Sequence, residues 1–265
     1  MAMPAPPRAR TALVGIGLAL MSFTSGCMDI LSYRQLGQVF TSAMTGNAAL
    51  LGLGLGQGNI AATSRNMAAF GGFLVGLGIG AALLRGHRGG PGWSRAVTRI
   101  LFVEEALLVA FAAVWHFGAG PSSDRLLYGL IALSAVAMGL QSAAAHRIGV
   151  PGITTTYFTG TLTGIVVGAV GRGSPPTIAG QPPRGTRWPA SAFLAYVSGA
   201  ALTGFLLLHP GPMPAVAPAV GVAALPAVLI AVVLLTASVD RTFGALKAKK
   251  GKRGLVQSPD AATED

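Results

Sequence analysis

The sequence predicts an all-α integral membrane protein, and three observations support this fold class. Hydrophobic residues make up 52% of the chain and charged residues 10%, and the mean hydropathy is +0.61. A soluble domain carries about 25% charged residues, so this chain cannot cover a globular surface with charge. Its apolar residues also gather into eight runs, most of them long enough to cross a bilayer as a helix.

The eight runs define the predicted elements. The first is interpreted as a membrane helix rather than a cleaved lipoprotein signal, because its apolar residues continue past Cys27. The sixth has only 14 residues, about 21 Å as a helix, which is short of a hydrocarbon core of about 30 Å. The runs are Ala12–Leu31, Val39–Leu55, Met67–Leu84, Ile100–Phe117, Leu126–Ala145, Tyr157–Val170, Ala190–Leu208 and Ala215–Ala237.

The distribution of charge predicts cytoplasmic chain ends and argues against nucleic acid as a partner. The net charge is +11, but all four lysines lie after Phe243 and most arginines flank apolar runs. This pattern sets orientation in a membrane rather than a nucleic-acid-binding face. We therefore expect a lipid bilayer as partner, no nucleic acid, and two disordered cytoplasmic ends, residues 1–11 and 238–265.

An internal repeat divides the membrane part into residues 12–119 and 125–237. Thr45-Gly46-Asn47 and Thr159-Gly160-Thr161 each interrupt an apolar run, and each follows a related segment, Gly26–Asp29 or Gly139–Ser142, by about the same distance. Each half then reads as helix, Thr-Gly segment, helix, helix. Repeats of this kind are characteristic of transporters.

The arginines distinguish two topologies. Eight crossings leave five loop arginines inside and six outside, whereas six crossings with two re-entrant Thr-Gly segments leave eight inside and three outside. Because cytoplasmic loops collect Lys and Arg, the six-crossing arrangement is favoured and eight crossings remain the alternative. Three crossings per half make the repeat an inverted 3+3 repeat, with the Thr-Gly segments entering from opposite faces and both termini cytoplasmic.

The Thr-Gly segments are the predicted solute path. Thr and Asn cap helices and Gly permits a sharp turn, so a half-helix capped by Asn47 and covering Ala48–Leu55 would aim its positive end at the membrane centre. Two such ends, at Thr45-Gly46-Asn47 and Thr159-Gly160-Thr161, favour an anion or a hydrogen-bond-accepting solute. The alternative is that these residues are tolerated inside ordinary packed helices.

Other polar residues in the apolar runs have two interpretations each. Asp29 is an intramembrane carboxylate, which points to a proton or solute partner; alternatively it pairs with Arg34 at the interface. Gln141 could bind solute or a neighbouring helix. Glu104 and Glu105 are expected in interfacial ion pairs, because they follow two arginines, Arg95 and Arg99.

Small residues predict helix packing. Two series of glycines at a spacing of four residues give smooth helix faces that also suit a homo-oligomer seam: Gly72, Gly76 and Gly80, and Gly160, Gly164 and Gly168. Signatures of catalysis and of metal binding are missing from the sequence, since it contains neither HExxH nor GxSxG. We therefore expect no enzyme and no cofactor.

The motifs Gly-Cys-Met-Asp, Phe-Thr-Ser-Ala-Met-Thr-Gly-Asn, Gly-Leu-Gln-Ser and Thr-Thr-Thr-Tyr-Phe-Thr-Gly-Thr-Leu-Thr resemble those of the YoaK-type bacterial membrane family, a domain of unknown function. The resemblance covers about residues 12–237. It implies a multi-pass protein of the bacterial cytoplasmic membrane with no established activity. Ser142 stands where the family has Asn. Its motif positions correspond here to Asp29, Thr45, Gly46, Asn47, Gln141, Thr159 and Gly160.

Together these observations predict a transporter or channel for a small polar or anionic solute. The alternative is a non-transporting membrane scaffold that binds partners through its Gly-rich helix faces.

Overall fold

The computed structural model describes residues 8–85, 93–118, 120–149, 166 and 187–208. Within these residues the chain forms helices and no strand, which confirms the predicted all-α class. The helices are, in chain order, α1 (Arg8–Gln35), α2 (Met44–Gly56), α3 (Ile60–Leu84), α4 (Arg95–Phe117), α5 (Asp124–Ile148) and α6 (Arg187–Leu208).

Five of these helices each cover one predicted apolar run and extend beyond it. Three begin at side-chain caps, because Asn59, Ser94 and Ser123 each accept a hydrogen bond from the backbone N–H three residues on. The second run behaves differently, since it contains a non-helical stretch followed by the short helix α2. The predicted site residues Thr159, Gly160, Thr161, Gly164 and Gly168 lie outside the described residues.

Four of the described helices are long and apolar enough to cross a membrane. The spans are Val14–Gln35 in α1, all of α3, all of α5, and Pro189–Leu208 in α6. On α3 large apolar side chains such as Leu74 and Leu83 are about half exposed, as expected of a surface that faces lipid. α4 carries four charged residues and is not among the four.

Helix α5 holds the described bundle together. It packs against α3 and α4 and also touches α1. Its side chains Leu130, Ile131 and Met138 are completely buried in the largest apolar cluster, together with Met28 of α1 and Phe111 of α4.

Two helix crossings share one geometry, and glycine makes both possible. A Cβ on Gly76 of α3 would collide with the carbonyl of Val136, and a Cβ on Gly139 of α5 would collide with the carbonyl of Phe73. In each contact the carbonyl lies three residues before the facing glycine. Close backbone approach of this kind is what small residues permit in membrane helices.

The crossing of α1 with α6 repeats this arrangement. A Cβ on Gly26 would meet the carbonyl of Tyr196, and a Cβ on Gly199 would meet that of Phe23, again three residues before the facing glycine. The first helix of each predicted half therefore packs on a later helix of the other half. Gly26 and Gly139, which begin the two related segments of the internal repeat, therefore occupy equivalent positions in the two crossings.

The other two glycines of the predicted α3 face also meet α5. A Cβ on Gly72 would lie 3.1 Å from the Cβ of Ala135, and one on Gly80 would lie 2.5 Å from the Cβ of Ala143. Gly78 lies on the same helix with open space around it. The smooth face of α3 is thus occupied within the chain.

Replacing Gly76 by Leu should destabilise the protein strongly, because the new side chain collides with backbone that cannot move independently of α5. Overpacking typically costs about 1–3 kcal/mol, and a backbone collision should exceed that range. Gly78→Leu is the matched control and should lie within about 0.5 kcal/mol of the parent. The measurement is thermal unfolding of both variants in detergent, and equal melting temperatures would contradict the assignment.

Candidate functional site

The chain reverses direction directly after α1. Gly37 and Gln38 both have positive φ, 82° and 64°, a conformation that Gly adopts freely and Gln rarely does. The ring of Phe40 then stacks on that of Tyr33 in α1, with centroids 5.1 Å apart. The non-helical residues 36–43 therefore run back along α1; with α2 they form what we call the broken segment, residues 36–56.

Asp29 of α1 anchors this returning chain. Its Oδ1 accepts hydrogen bonds from the backbone N–H groups of Thr41 (2.9 Å) and Ser42 (2.7 Å). Its Oδ2 accepts from the hydroxyl of Ser42 (2.7 Å) and from that of Tyr196 in α6 (2.8 Å). Asp29 is completely buried, so one carboxylate joins α1, the broken segment and α6 out of reach of water.

Of the two interpretations of Asp29 made from the sequence, the ion pair with Arg34 is wrong, and the role of proton or solute partner stays a prediction. Neither carboxylate oxygen is paired with Arg34, whose side chain is exposed near the end of α1. The oxygens instead accept four hydrogen bonds from the protein's own chain. Tyr196 escaped the sequence analysis, although a phenol inside an apolar run signals a buried hydroxyl that needs a partner.

The triplet Thr45-Gly46-Asn47 holds Phe40 in place. The side-chain amide of Asn47 accepts from the N–H of Phe40 (2.7 Å) and donates to its carbonyl (2.5 Å). Gly46 leaves room for the ring, since a Cβ there would lie 2.9 Å from it. Thr45 is exposed. Phe40 lies outside regular secondary structure, and the Asn47 side chain provides the hydrogen bonds that another backbone segment would otherwise provide.

The predicted capping role of Asn47 is wrong. Helix α2 begins at Met44, and its N-cap is Ala43, which makes no side-chain cap bond. Asn47 lies in the first turn, and its own N–H and that of Gly46 both donate to the carbonyl of Ala43. Local carbonyls therefore satisfy part of the donor set that the sequence analysis assigned to a solute.

Helix α2 leads back to the end of α1 from which the segment departed. Gly54, near the end of α2, lies against Thr63 of α3. Two residues further along α3, the Nε of Arg65 donates to the carbonyl of Gly37 (3.1 Å). The start of the broken segment, its end and the beginning of α3 thus lie at one end of the bundle.

A second buried polar cluster joins α1, α4 and α5. Gln141 is completely buried; its Nε2 donates to Oε1 of Glu104 (3.0 Å) and to the carbonyl of Met21 (3.2 Å). Its Oε1 accepts from the hydroxyl of Ser25 (2.7 Å). Gln141 therefore binds neighbouring helices, which is the second of its two predicted interpretations.

The predicted interfacial position of Glu104 is wrong, because the residue is completely buried beside Gln141. Arg99 and Arg95 precede it by five and nine residues on the same helix, about 8 and 14 Å along the axis, and both are exposed. Glu105 is 4% exposed. Each of the two glutamates has one carboxyl oxygen, Oε2, without a hydrogen-bond partner in the described part of the chain.

The anchor formed by Asp29 and Tyr196 occurs at one of the two glycine crossings. Asp29 follows Gly26 by three residues, and Tyr196 precedes Gly199 by three. At the crossing of α3 with α5 the equivalent positions are Phe73 and Ser142, and the buried hydroxyl of Ser142 has no described partner. The two crossings thus share their packing but differ in polar chemistry.

The chain is similar to known proteins over most of its length. A family profile described as "Protein of unknown function (DUF1275)" matches residues 17–233. The UPF0700 transmembrane protein YoaK of Bacillus subtilis (strain 168) is 36% identical over 155 residues, which cover 58% of this chain and 67% of that protein. No solved structure matches the chain significantly.

Asp29→Ala should destabilise the protein by about 2–5 kcal/mol, because each donor left unsatisfied in a buried site costs about 1–3 kcal/mol. Asp29→Asn should cost less, since its remaining oxygen still accepts from the two backbone N–H groups. The control is Ser22→Ala in the same helix: Ser22 is buried, but its hydroxyl donates only to the Leu18 carbonyl within α1. Unfolding in a denaturing detergent ranks the three, and equal stability of Asp29→Ala and Ser22→Ala would refute the anchor.

Proposed function

The chain belongs to the DUF1275 family of membrane proteins, and we propose that it is a transporter or channel for a small polar or anionic solute. The observation that carries this proposal is the broken segment, which leaves the end of α1, turns inside the bundle and returns to the same end. Discontinuous helices of this kind form the solute sites of many transporters.

The depth of the turn supports a position inside the membrane. Asp29 lies six residues before the end of α1 at Gln35, about 9 Å along the helix, and it binds the chain just before α2 begins. Helix α2 has 13 residues, about 20 Å, too short to cross a core of about 30 Å. On this proposal α2 is a half-helix whose N-terminus lies within the bilayer.

Non-helical backbone at that depth requires partners from the protein. It is tolerated in a membrane only where protein buries it or where it lines an aqueous cavity. Here Asp29 and Asn47 satisfy Phe40, Thr41 and Ser42. An additional membrane-crossing helix would not require these hydrogen bonds to non-helical backbone. The arrangement therefore supports a functional role for the broken segment.

The charge at the turn refines the class of solute. The N-terminus of a helix carries a partial positive charge that attracts anions, and the carboxylate of Asp29 already lies next to this end of α2. A neutral polar solute is therefore a better candidate than a strong anion for this half of the path. Thr45 is exposed, and its hydroxyl is the group we assign to solute contact, with Asp29 and Asn47 positioning the backbone beside it.

The repeated glycine crossings support the finer topology that we propose. Each half would contribute three crossings and one re-entrant segment, the halves being inverted relative to each other. We also propose the bacterial inner membrane as the location, which the family resemblance implies, and two cytoplasmic termini, which the arginine distribution supports. The proposal assigns the chain no enzymatic reaction and no cofactor.

The scaffold alternative depends on free glycine faces. On α3 the face of Gly72, Gly76 and Gly80 is covered by α5, so it is not available to a partner. The second predicted face, Gly160, Gly164 and Gly168, lies outside the described residues, so a scaffold would have to use that face or another surface.

Cysteine accessibility tests the path directly. With Cys27 replaced, a cysteine at Thr45 should react with a membrane-impermeant thiol reagent, because the path is hydrated. A cysteine at Leu74 is the control: Leu74 is 54% exposed on an apolar face of α3, and lipid should protect it. If neither the Thr45 nor the Leu74 cysteine variant reacts, Thr45 lies at a packed or lipid-covered surface. That result would favour the scaffold.

A further inference from the structure

Glu104 is a buried carboxyl group that the proposed solute path does not use. It is completely buried near the middle of α4. Oε1 accepts one hydrogen bond, from Gln141, and Oε2 has no partner in the described part of the chain. The apolar side chains of Leu101 and Leu108, about one turn to either side on α4, are also buried.

The comparison with Asp29 shows which form of the carboxyl each site suits. An ionised carboxylate only accepts hydrogen bonds, and Asp29 accepts four. Glu104 accepts one. A buried carboxylate with an unpaired oxygen is costly, and such a group becomes neutral instead. Asp29 therefore has the environment of an anion and Glu104 that of a neutral acid.

The charged groups around Glu104 reinforce this difference. The next residue on α4, Glu105, is also a carboxylic acid and is 4% exposed, so ionisation of both would place two like charges side by side. The described helices packed on α4 are α3 and α5. The charged residue of α3 is Arg65, which binds Gly37.

The titratable groups of α5 are also remote along the helix. They are Tyr128, which bonds Ser64, and Asp124, Arg125, His146 and Arg147; the nearest, His146, follows Gln141 by five residues, more than one turn. Helix α1 reaches the cluster through Ser25 and the Met21 carbonyl, and its nearest carboxyl group, Asp29, lies one turn beyond Ser25. On α4 itself the nearest cations, Arg99 and Arg95, precede Glu104 by five and nine residues and are exposed, whereas Glu104 is completely buried and bonds only Gln141 among the described residues. None of these described cations therefore pairs with Glu104.

We propose that Glu104 is the proton-binding site of this protein, held as a neutral carboxylic acid in the state seen here. Release of its proton leaves a carboxylate that accepts one hydrogen bond, from the Gln141 amide, within the described part of the chain. Ionisation therefore requires a rearrangement that brings water or another donor to Oε2. Because Gln141 also binds α1, such a rearrangement would act where the two halves meet; its use to couple protons to solute movement rests on the proposed function.

A hydrophobic carbodiimide tests the protonation without any transport assay. This reagent reacts with protonated carboxyl groups in apolar surroundings and forms a stable adduct. In the purified full-length parent at neutral pH, peptide mapping by mass spectrometry should find the adduct on Glu104 and not on Asp29. A water-soluble carbodiimide should instead modify Asp124, which is exposed. A recovered Glu104 peptide without adduct, or an adduct that fragment ions place on Glu105 or Asp29 instead of Glu104, would overturn the proposal.

Infrared spectroscopy of variants gives an independent reading. The carbonyl band of a protonated carboxylic acid should be lost in Glu104→Gln and retained in Asp29→Asn, each compared with the parent at the same pH. An unchanged band in a folded Glu104→Gln protein would overturn the assignment. If protonation is found but Glu104→Gln transports with unaltered dependence on a proton gradient, the coupling role fails while the proton site stands.

Discussion

The hydrogen bonds between Asp29 and the returning chain are the interaction on which the rest of the structure depends. Residues 36–43 lack regular secondary structure, so their polar backbone groups need partners wherever water is absent. The carboxylate accepts hydrogen bonds from two of these groups, the N–H of Thr41 and that of Ser42, and a third bond, from Tyr196, links it to α6. The two hydrogen bonds between the Asn47 side chain and the Phe40 backbone complete the turn. Without these bonds α2 would have no fixed starting point inside the bundle.

Rigid packing surrounds this polar turn. Two glycine crossings bring backbones together so closely that a single Cβ would collide with a carbonyl, and α5 fills the space between α3 and α4. The polar groups differ between the crossings: Asp29 and Tyr196 at one correspond to Ser142 and Phe73 at the other.

The sequence predicted the elements better than their contacts. Thr-Gly-Asn in an apolar run predicted the start of a half-helix, and α2 begins one residue before this triplet, at Met44. The partner of Asn47 was missed because it depends on the reversal at Gly37, which is not apparent from composition. Tyr196 is 167 residues from Asp29, beyond any local pattern. Glu104 was assigned to an interface because arginines precede it, but Glu104 is buried beside Gln141 while Arg95 and Arg99 are exposed.

The most direct test of this account asks whether the broken segment returns to the side from which it entered. In a protein with Cys27 replaced, single cysteines at Gln35 and Gln57 flank the segment, and both positions are exposed. An impermeant maleimide should label both from the same face of the membrane, while a cysteine at Arg85, beyond the other end of α3, should be labelled from the opposite face. Labelling of Gln35 and Gln57 from opposite faces would show that the segment crosses, and would contradict the account.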